Sequence, residues 1–197
     1  KDFSVDKSED QSKKPIDLKD SVTKLLKLGE QKRNSGDYKG ALECYRKIIS
    51  IDKDPLIKIS TYTFISDCLN HLKDFSGLID VYDELIKLQP HISNLYELRG
   101  SARAQSYEGD IIKNNYEAIK DFNKALEICI KNKDDRGIFS AYELRGYSRM
   151  EVKDYQGAIE DLKKVLVKFP KDKVIRRNIA LSQLESKDYS NAIENYK

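Results

Sequence analysis

Of 197 residues, 39% are apolar and 35% charged, and 36 Lys and Arg stand against 33 Asp and Glu for a net charge of +3. So small an excess argues against a nucleic-acid surface, and no apolar run approaches the roughly 18 residues that a membrane-spanning helix needs. The three cysteines, Cys44, Cys68 and Cys129, are odd in number and widely spaced, which suits buried free thiols better than a disulfide framework or a zinc site.

Residues 1–20 are charged and polar, carry Pro15 and lack apolar periodicity, so they read as a flexible polar N-terminal tail. The chain opens on Lys1, and a signal or lipid anchor ahead of it would set the compartment; a cytoplasmic location is the default expectation, with secretion or anchoring left open. From residue 21 onward apolar residues recur three and four apart, and turn signals break the runs, the mark of successive helices. The signals include Ser35-Gly36-Asp37, Lys53-Asp54-Pro55, Asp74-Phe75-Ser76-Gly77, Lys153-Asp154 and Phe169-Pro170. They divide residues 21–197 into helix pairs over about 22–55, 59–92, 93–138 and 139–172, with a partial fifth at 173–197. Pro90 and Pro170 end a helix and fix the turn into the next pair.

The pairs repeat one another. Leu95-Tyr96-Glu97-Leu98-Arg99-Gly100 returns as Ala141-Tyr142-Glu143-Leu144-Arg145-Gly146. Gly29 and Gly146 stand where two helices must cross closely, and matching residues follow them. These are Tyr38, Ala41 and Tyr45 in the first pair, Phe75, Leu78 and Tyr82 in the second, and Tyr155, Ala158 and Leu162 in the fourth. The fourth pair fits a 34-residue period without gaps. This pattern and period resemble the tetratricopeptide repeat, over about residues 22–197. The phrasing Tyr-x-x-Arg-Gly and Asp-Phe-x-Lys-Ala-Leu is similar to arrays of bacterial type. The resemblance implies an all-α fold, a right-handed α-solenoid superhelix of antiparallel helix pairs, with the first helix of each pair lining an inner groove. Members that grip an acidic chaperone tail carry Lys at position five of the repeat and Asn at position nine. Here those positions hold Leu26 and Glu30 in the first unit and Glu143 and Tyr147 in the fourth, so the resemblance implies no such carboxylate clamp.

The third unit departs from the pattern. Gln105 to Asn114 is an insertion, a second runs from about Lys131 to Ile138, and a residue is missing from the turn at Asn115-Tyr116-Glu117-Ala118. Extra residues are tolerated at solenoid turns, so they read either as longer helices or loops, or as a local change of shape in a binding face. Two further positions vary together. Position seven is Leu28, Ile65, Arg99, Arg145 and Ile179, and position twenty-three is Cys44, Val81, Asp121, Asp161 and Asn195. Arg meets Asp and, in complete units, aliphatic meets apolar, which predicts the structural cross-helix ion pairs Arg99–Asp121 and Arg145–Asp161.

The inner-face positions of the first helices give the candidate groove: Glu30, Arg33, Asp67, Asn70, Asn94, Glu97, Ser101, Glu143, Tyr147, Met150 and Arg177. With Glu151 and Glu185 added, acidic residues in this set outnumber Arg33 and Arg177 by six to two. One-signed walls favour ligands of opposite sign, so the expected partner is a protein or a basic or mixed peptide, read partly through Tyr147 and Met150. Catalysis is not expected. No Gly-rich phosphate loop is present, neither His71 nor His91 has a partner at metal-ligand spacing, and no nucleophile set stands out, so no cofactor and no metal are assigned. The sequence therefore reads as a non-catalytic interaction scaffold. Two alternatives stand beside it: a scaffold that self-assembles through an open apolar face at Ile179, Leu181, Ala192 and Ile193, and a regulatory segment of a larger enzyme.

Overall fold

The computed structural model describes residues 18–196, in which ten α-helices follow one another without a strand. They are α1 (Leu18–Asn34), α2 (Tyr38–Ile51), α3 (Pro55–Leu72), α4 (Phe75–Leu88), α5 (Ser93–Gln105), α6 (Ile111–Asn132), α7 (Asp135–Glu151), α8 (Tyr155–Lys168), α9 (Lys173–Glu185) and α10 (Tyr189–Tyr196). Of the polar tail read at 1–20, residues 1–17 lie outside the described part, and Leu18, Lys19 and Asp20 open α1.

One turn chemistry recurs. Gly36, Lys73, Lys133 and Lys153 take left-handed backbone (φ 84, 55, 55 and 63°). Each is followed by an aspartate, Asp37, Asp74, Asp134 or Asp154, whose carboxylate accepts the N–H of Gly40, Gly77, Gly137 or Gly157 at 2.8–3.0 Å. A Cβ on any of those four glycines would run into the capping carboxylate. Three of these turns join the two helices of a pair. The fourth, Lys133-Asp134, joins α6 to α7, so the second insertion is no extended loop but a further copy of the tight turn.

Two helices start before the units counted from sequence. α3 opens at Pro55 and α7 at Asp135, each four residues ahead of Ile59 and Phe139. Proline fits the first helical position, whose N–H has no intrahelical partner, and the Asp54 carboxylate accepts the N–H of Leu56 at 2.8 Å. The first insertion is absorbed differently. α6 has 22 residues against 14 in α2, α4 and α8, and alignment on Asp121 and Asp161 puts one extra turn at each end. Capping passes to Asp110, and the Asn114 amide donates to the carbonyls of Ser106 and Glu108, closing the loop that precedes the helix.

The chain divides within α3 into two compact units, Lys1–Cys68 and Leu69–Lys197. In the first, α1 packs on α2. Gly29 lies so close to the Tyr45 ring that a Cβ there would come within 2.6 Å of it, and Tyr45 stacks on Phe64 at 5.4 Å. In the second unit each helix from α4 to α10 packs on the next, and α7 also packs on α5. Gly100 and Gly146 take the place of Gly29, against Phe122 and Leu162. One core gathers Tyr96, Ala125, Leu126 and Ala141, another Ile159, Leu162, Val165, Ile175 and Ile179. The apolar face expected to be open on the fifth repeat is half covered. Ile179 and Ala192 are buried where α9 meets α8 and α10, and Leu181 and Ile193 are exposed.

Candidate functional site

The first helices present one face of each repeat. In the first unit Arg33 on α1 reaches the Asp67 carboxylate on α3 at 3.1 Å and lies over the Phe64 ring at 5.5 Å, while Glu30 is exposed. In the second unit Ser140 on α7 donates its hydroxyl to Glu97 on α5 at 2.7 Å, tying two first helices together. Burial pushes the Glu97 carboxyl above the usual range, and the Ser140 hydrogen bond only partly offsets this. The Tyr147 hydroxyl donates to Glu143 at 2.8 Å; burial and then that carboxylate hold its proton to higher pH than an ordinary tyrosine. Tyr147 and Met150 are half-buried against the α8–α9 core. Asn70, Asn94 and Arg177 are exposed, and Ser101 is half-buried.

Between α5 and the start of α7 the surface is hollow. A cavity of about 250 Å³ is lined by Ser93, Asn94, Glu97, Asp134, Arg136, Gly137 and Ser140. A second, of about 370 Å³, is lined by Asp135, Arg136, Phe139, Ser140, Glu143, Lys168 and Phe169. Arg136 and Ser140 belong to both, so the first turns of α7 form the partition. Phe139 and Phe169 meet edge to face at 6.1 Å in the larger one. Sequence reasoning missed Arg136, Phe139, Ser140 and Phe169. The available signal was Lys133-Asp134-x-x-Gly137, which repeats the turn signature of Lys153-Asp154-x-x-Gly157 and so announces that α7 starts early.

Behind this face run two buried ion clusters of one design. Asp121 accepts from Arg99 Nη2 at 2.5 Å and from Arg103 at 2.8 Å; Asp161 accepts from Arg145 Nη2 at 2.6 Å and from Arg149 at 2.8 Å. The aspartate side chains are only 4% and 1% exposed. Arg99 also reaches back to Asp83 on α4, and Arg145 to the equivalent Asn123 on α6, each at 2.5 Å. Each arginine thus bridges its own repeat to the preceding one, and each lies over a tyrosine ring, Tyr96 or Tyr142. Burial works against the charge on Arg99, but the bonds to Asp121 and Asp83 outweigh it and raise its pKa; for Arg145 the Asp161 bond is the leading cause of the same shift. Arg103 and Arg149 were not anticipated from sequence, although an arginine four residues after position seven occurs in just the two units that carry the aspartate.

Among the described residues no group of three or more His, Cys, Asp or Glu is placed to hold a metal ion, and no helix is long and apolar enough to cross a membrane. Cys44, Cys68 and Cys129 are free and buried, and burial raises the thiols of Cys68 and Cys129.

Residues 25–55 match the tetratricopeptide repeat family. None of the curated protein sequences matches the chain. Its structure is similar to a crystal structure of MamA protein, at 18% identity and a TM-score of 0.73, covering 90% of this chain and 89% of that one. It is similar to MamA from Desulfovibrio magneticus RS-1, at 17% identity and a TM-score of 0.68, covering 90% and 92%. It is also similar to the apo form of RapI, at 14% identity and a TM-score of 0.68, covering 89% of this chain and 51% of that one. At such identities the likeness is one of fold. The chain is therefore an all-α helical-repeat protein that carries one match to the tetratricopeptide repeat, at residues 25–55.

Proposed function

We propose that this non-catalytic repeat protein is an interaction scaffold that takes a peptide or a segment of a partner protein along the face of its first helices. The observation that carries the reading is the pair of adjoining cavities on that face. Asn94, Glu97 and Glu143 of the candidate groove line them, with the aromatic surface of Phe139 and Phe169 beside them. A few placed polar groups around apolar surface are what a peptide side chain needs for both affinity and orientation. The acidic side chains of the second compact unit favour a basic or mixed segment: Glu151 and Glu185 are exposed, and Glu97 and Glu143 are held by hydroxyls.

A random-peptide phage selection on the immobilised chain tests this. Enriched peptides rich in Lys or Arg, whose capture is lost on the double charge reversal Glu97→Lys and Glu143→Lys, support it. No enrichment, or capture that ignores the reversal, overturns it. Self-association is the second reading, favoured by Leu181, Leu184, Tyr189 and Ile193 exposed on α9 and α10. Sedimentation that depends on protein concentration and is abolished by Ile193→Asp would move the assignment there.

A further inference from the structure

The corner from α8 into α9 differs in charge from the corresponding corners of the other described repeats. Between 163 and 176 it carries Lys163, Lys164, Lys168, Lys171, Lys173 and Arg176, all exposed, and Asp172 as its one acid. The Asp172 carboxylate is engaged in capping α9, accepting the N–H groups of Val174 and Ile175. The corner is folded tightly on itself, because the Arg176 guanidinium donates to the Pro170 carbonyl at 2.9 Å. The equivalent stretch of the second repeat, 83–96, holds Lys87 against Asp83 and Glu84, and that of the third, 123–136, mixes Lys124, Lys131, Lys133 and Arg136 with Glu127, Asp134 and Asp135. Six cations to one acid is a larger excess than at either of those corners, or at 46–59, where Arg46, Lys47, Lys53 and Lys58 stand with Asp52 and Asp54, in a chain whose net charge is only +3.

Apolar side chains stand among these cations. Val167 is 85% exposed, Val174 53% and Phe169 50%. Val167 follows Lys163 by one helical turn on the outer face of α8, whose opposite face buries Ala158, Leu162 and Val165. Val167 at 85% exposure adds little to the fold it sits on, and a soluble acidic partner would be met by the lysines without it. Basic side chains around projecting apolar ones match an anionic bilayer surface, where headgroup charge attracts the cations and the acyl boundary takes the apolar side chains.

We infer that the α8–α9 corner is a peripheral docking surface for anionic membranes, with Lys168, Lys171 and Arg176 at the headgroups and Val167 and Phe169 inserted between them. This surface lies outside the candidate groove of α5 and α7 except that Lys168 and Phe169 also line the larger cavity.

The test is flotation of the purified chain with vesicles of phosphatidylcholine alone and with about a third phosphatidylserine. Binding is expected only to the anionic vesicles and is expected to fall steeply with salt. Lys168→Glu with Lys171→Glu lowers the partition coefficient by at least about tenfold. Val167→Asp, at a site too exposed to disturb folding, lowers it as well, and circular dichroism checks that both variants keep their helices. Failure of the native chain to float, or flotation that ignores either variant, overturns the inference. Capture by polyglutamate or duplex DNA that competes with vesicles and is indifferent to Val167→Asp would also overturn it, assigning the corner to an acidic macromolecule.

Discussion

Where the first repeat places Cys44 and Tyr45 under α1, the third and fourth place Asp121 with Phe122 and Asp161 with Leu162 under α5 and α7. The backbone problem is the same in all three, a glycine on the first helix pressed against a large side chain of the second. The chemistry beside it is opposite. In the first repeat the packing is apolar and aromatic, and its one buried polar tip, the Tyr45 hydroxyl, has no hydrogen-bond partner. In the other two each buried carboxylate is held by two arginines. A ring lying over a glycine fixes the distance between helices but tolerates a small slip along them. A carboxylate that is 1% exposed does not, because displacement would strand two positive charges. Buried charge therefore sets the pairing register in the third and fourth repeats, and shape sets it in the first.

The sharpest way to break this comparison is to remove one carboxylate. Asp161→Ala leaves Arg145 and Arg149 facing each other and is expected to cost about 3–5 kcal/mol in urea unfolding, whereas Cys44→Ala at the matching position of the first repeat should cost about 1 kcal/mol. Equal losses would remove the distinction. A smaller effect is expected when the cluster is exchanged whole. The second repeat carries Ile65, Leu69 and Val81 at these three positions, so Arg145→Ile, Arg149→Leu and Asp161→Val together should bring stability to within about 1 kcal/mol of the native chain, or above it. If the triple variant stays as unstable as Asp161→Ala, the cluster contributes net stability and not only register. The smallest effect concerns Glu97, a half-buried carboxylate held by a hydroxyl and no cation. Its folded pKa lies above its ordinary value of 4.5, so its contribution favours folding below that value and is lost as pH rises through the folded pKa. Glu97→Gln should therefore raise the melting temperature at pH 7, with a gap that closes toward pH 4; an unchanging gap would show that the side chain acts through packing.

Much of this architecture can be read from residues alone, because a repeat supplies its own control. The Arg–Asp alternation at two positions is visible only when the copies are laid over one another, and the structure puts those side chains together. Arg103 and Arg149 are not found by comparing positions seven and twenty-three alone, because each is a second donor one helical turn beyond the first. Lys133-Asp134-Asp135 is legible as a turn signal, but a unit counted by its 34-residue period starts at Phe139, four residues after α7 begins. The cavities could not be read at all. Their walls come from Ser93, Asp134 and Phe169, residues in three separate segments whose approach depends on how far each helix extends before its cap.

The left-handed residues at the turns have a consequence for how such an array can evolve. Gly36 adopts that backbone freely, but Lys73, Lys133, Lys153 and Lys187 do so at a cost of about 1 kcal/mol each. The penalty sits in a hinge whose side chain belongs to neither helix interface. A codon change there between lysine and glycine retunes how readily the turn opens without altering the side chains packed between the helices. The turns thus form a set of separate dials, through which selection can grade the fraying of successive repeats independently of the side chains packed between their helices.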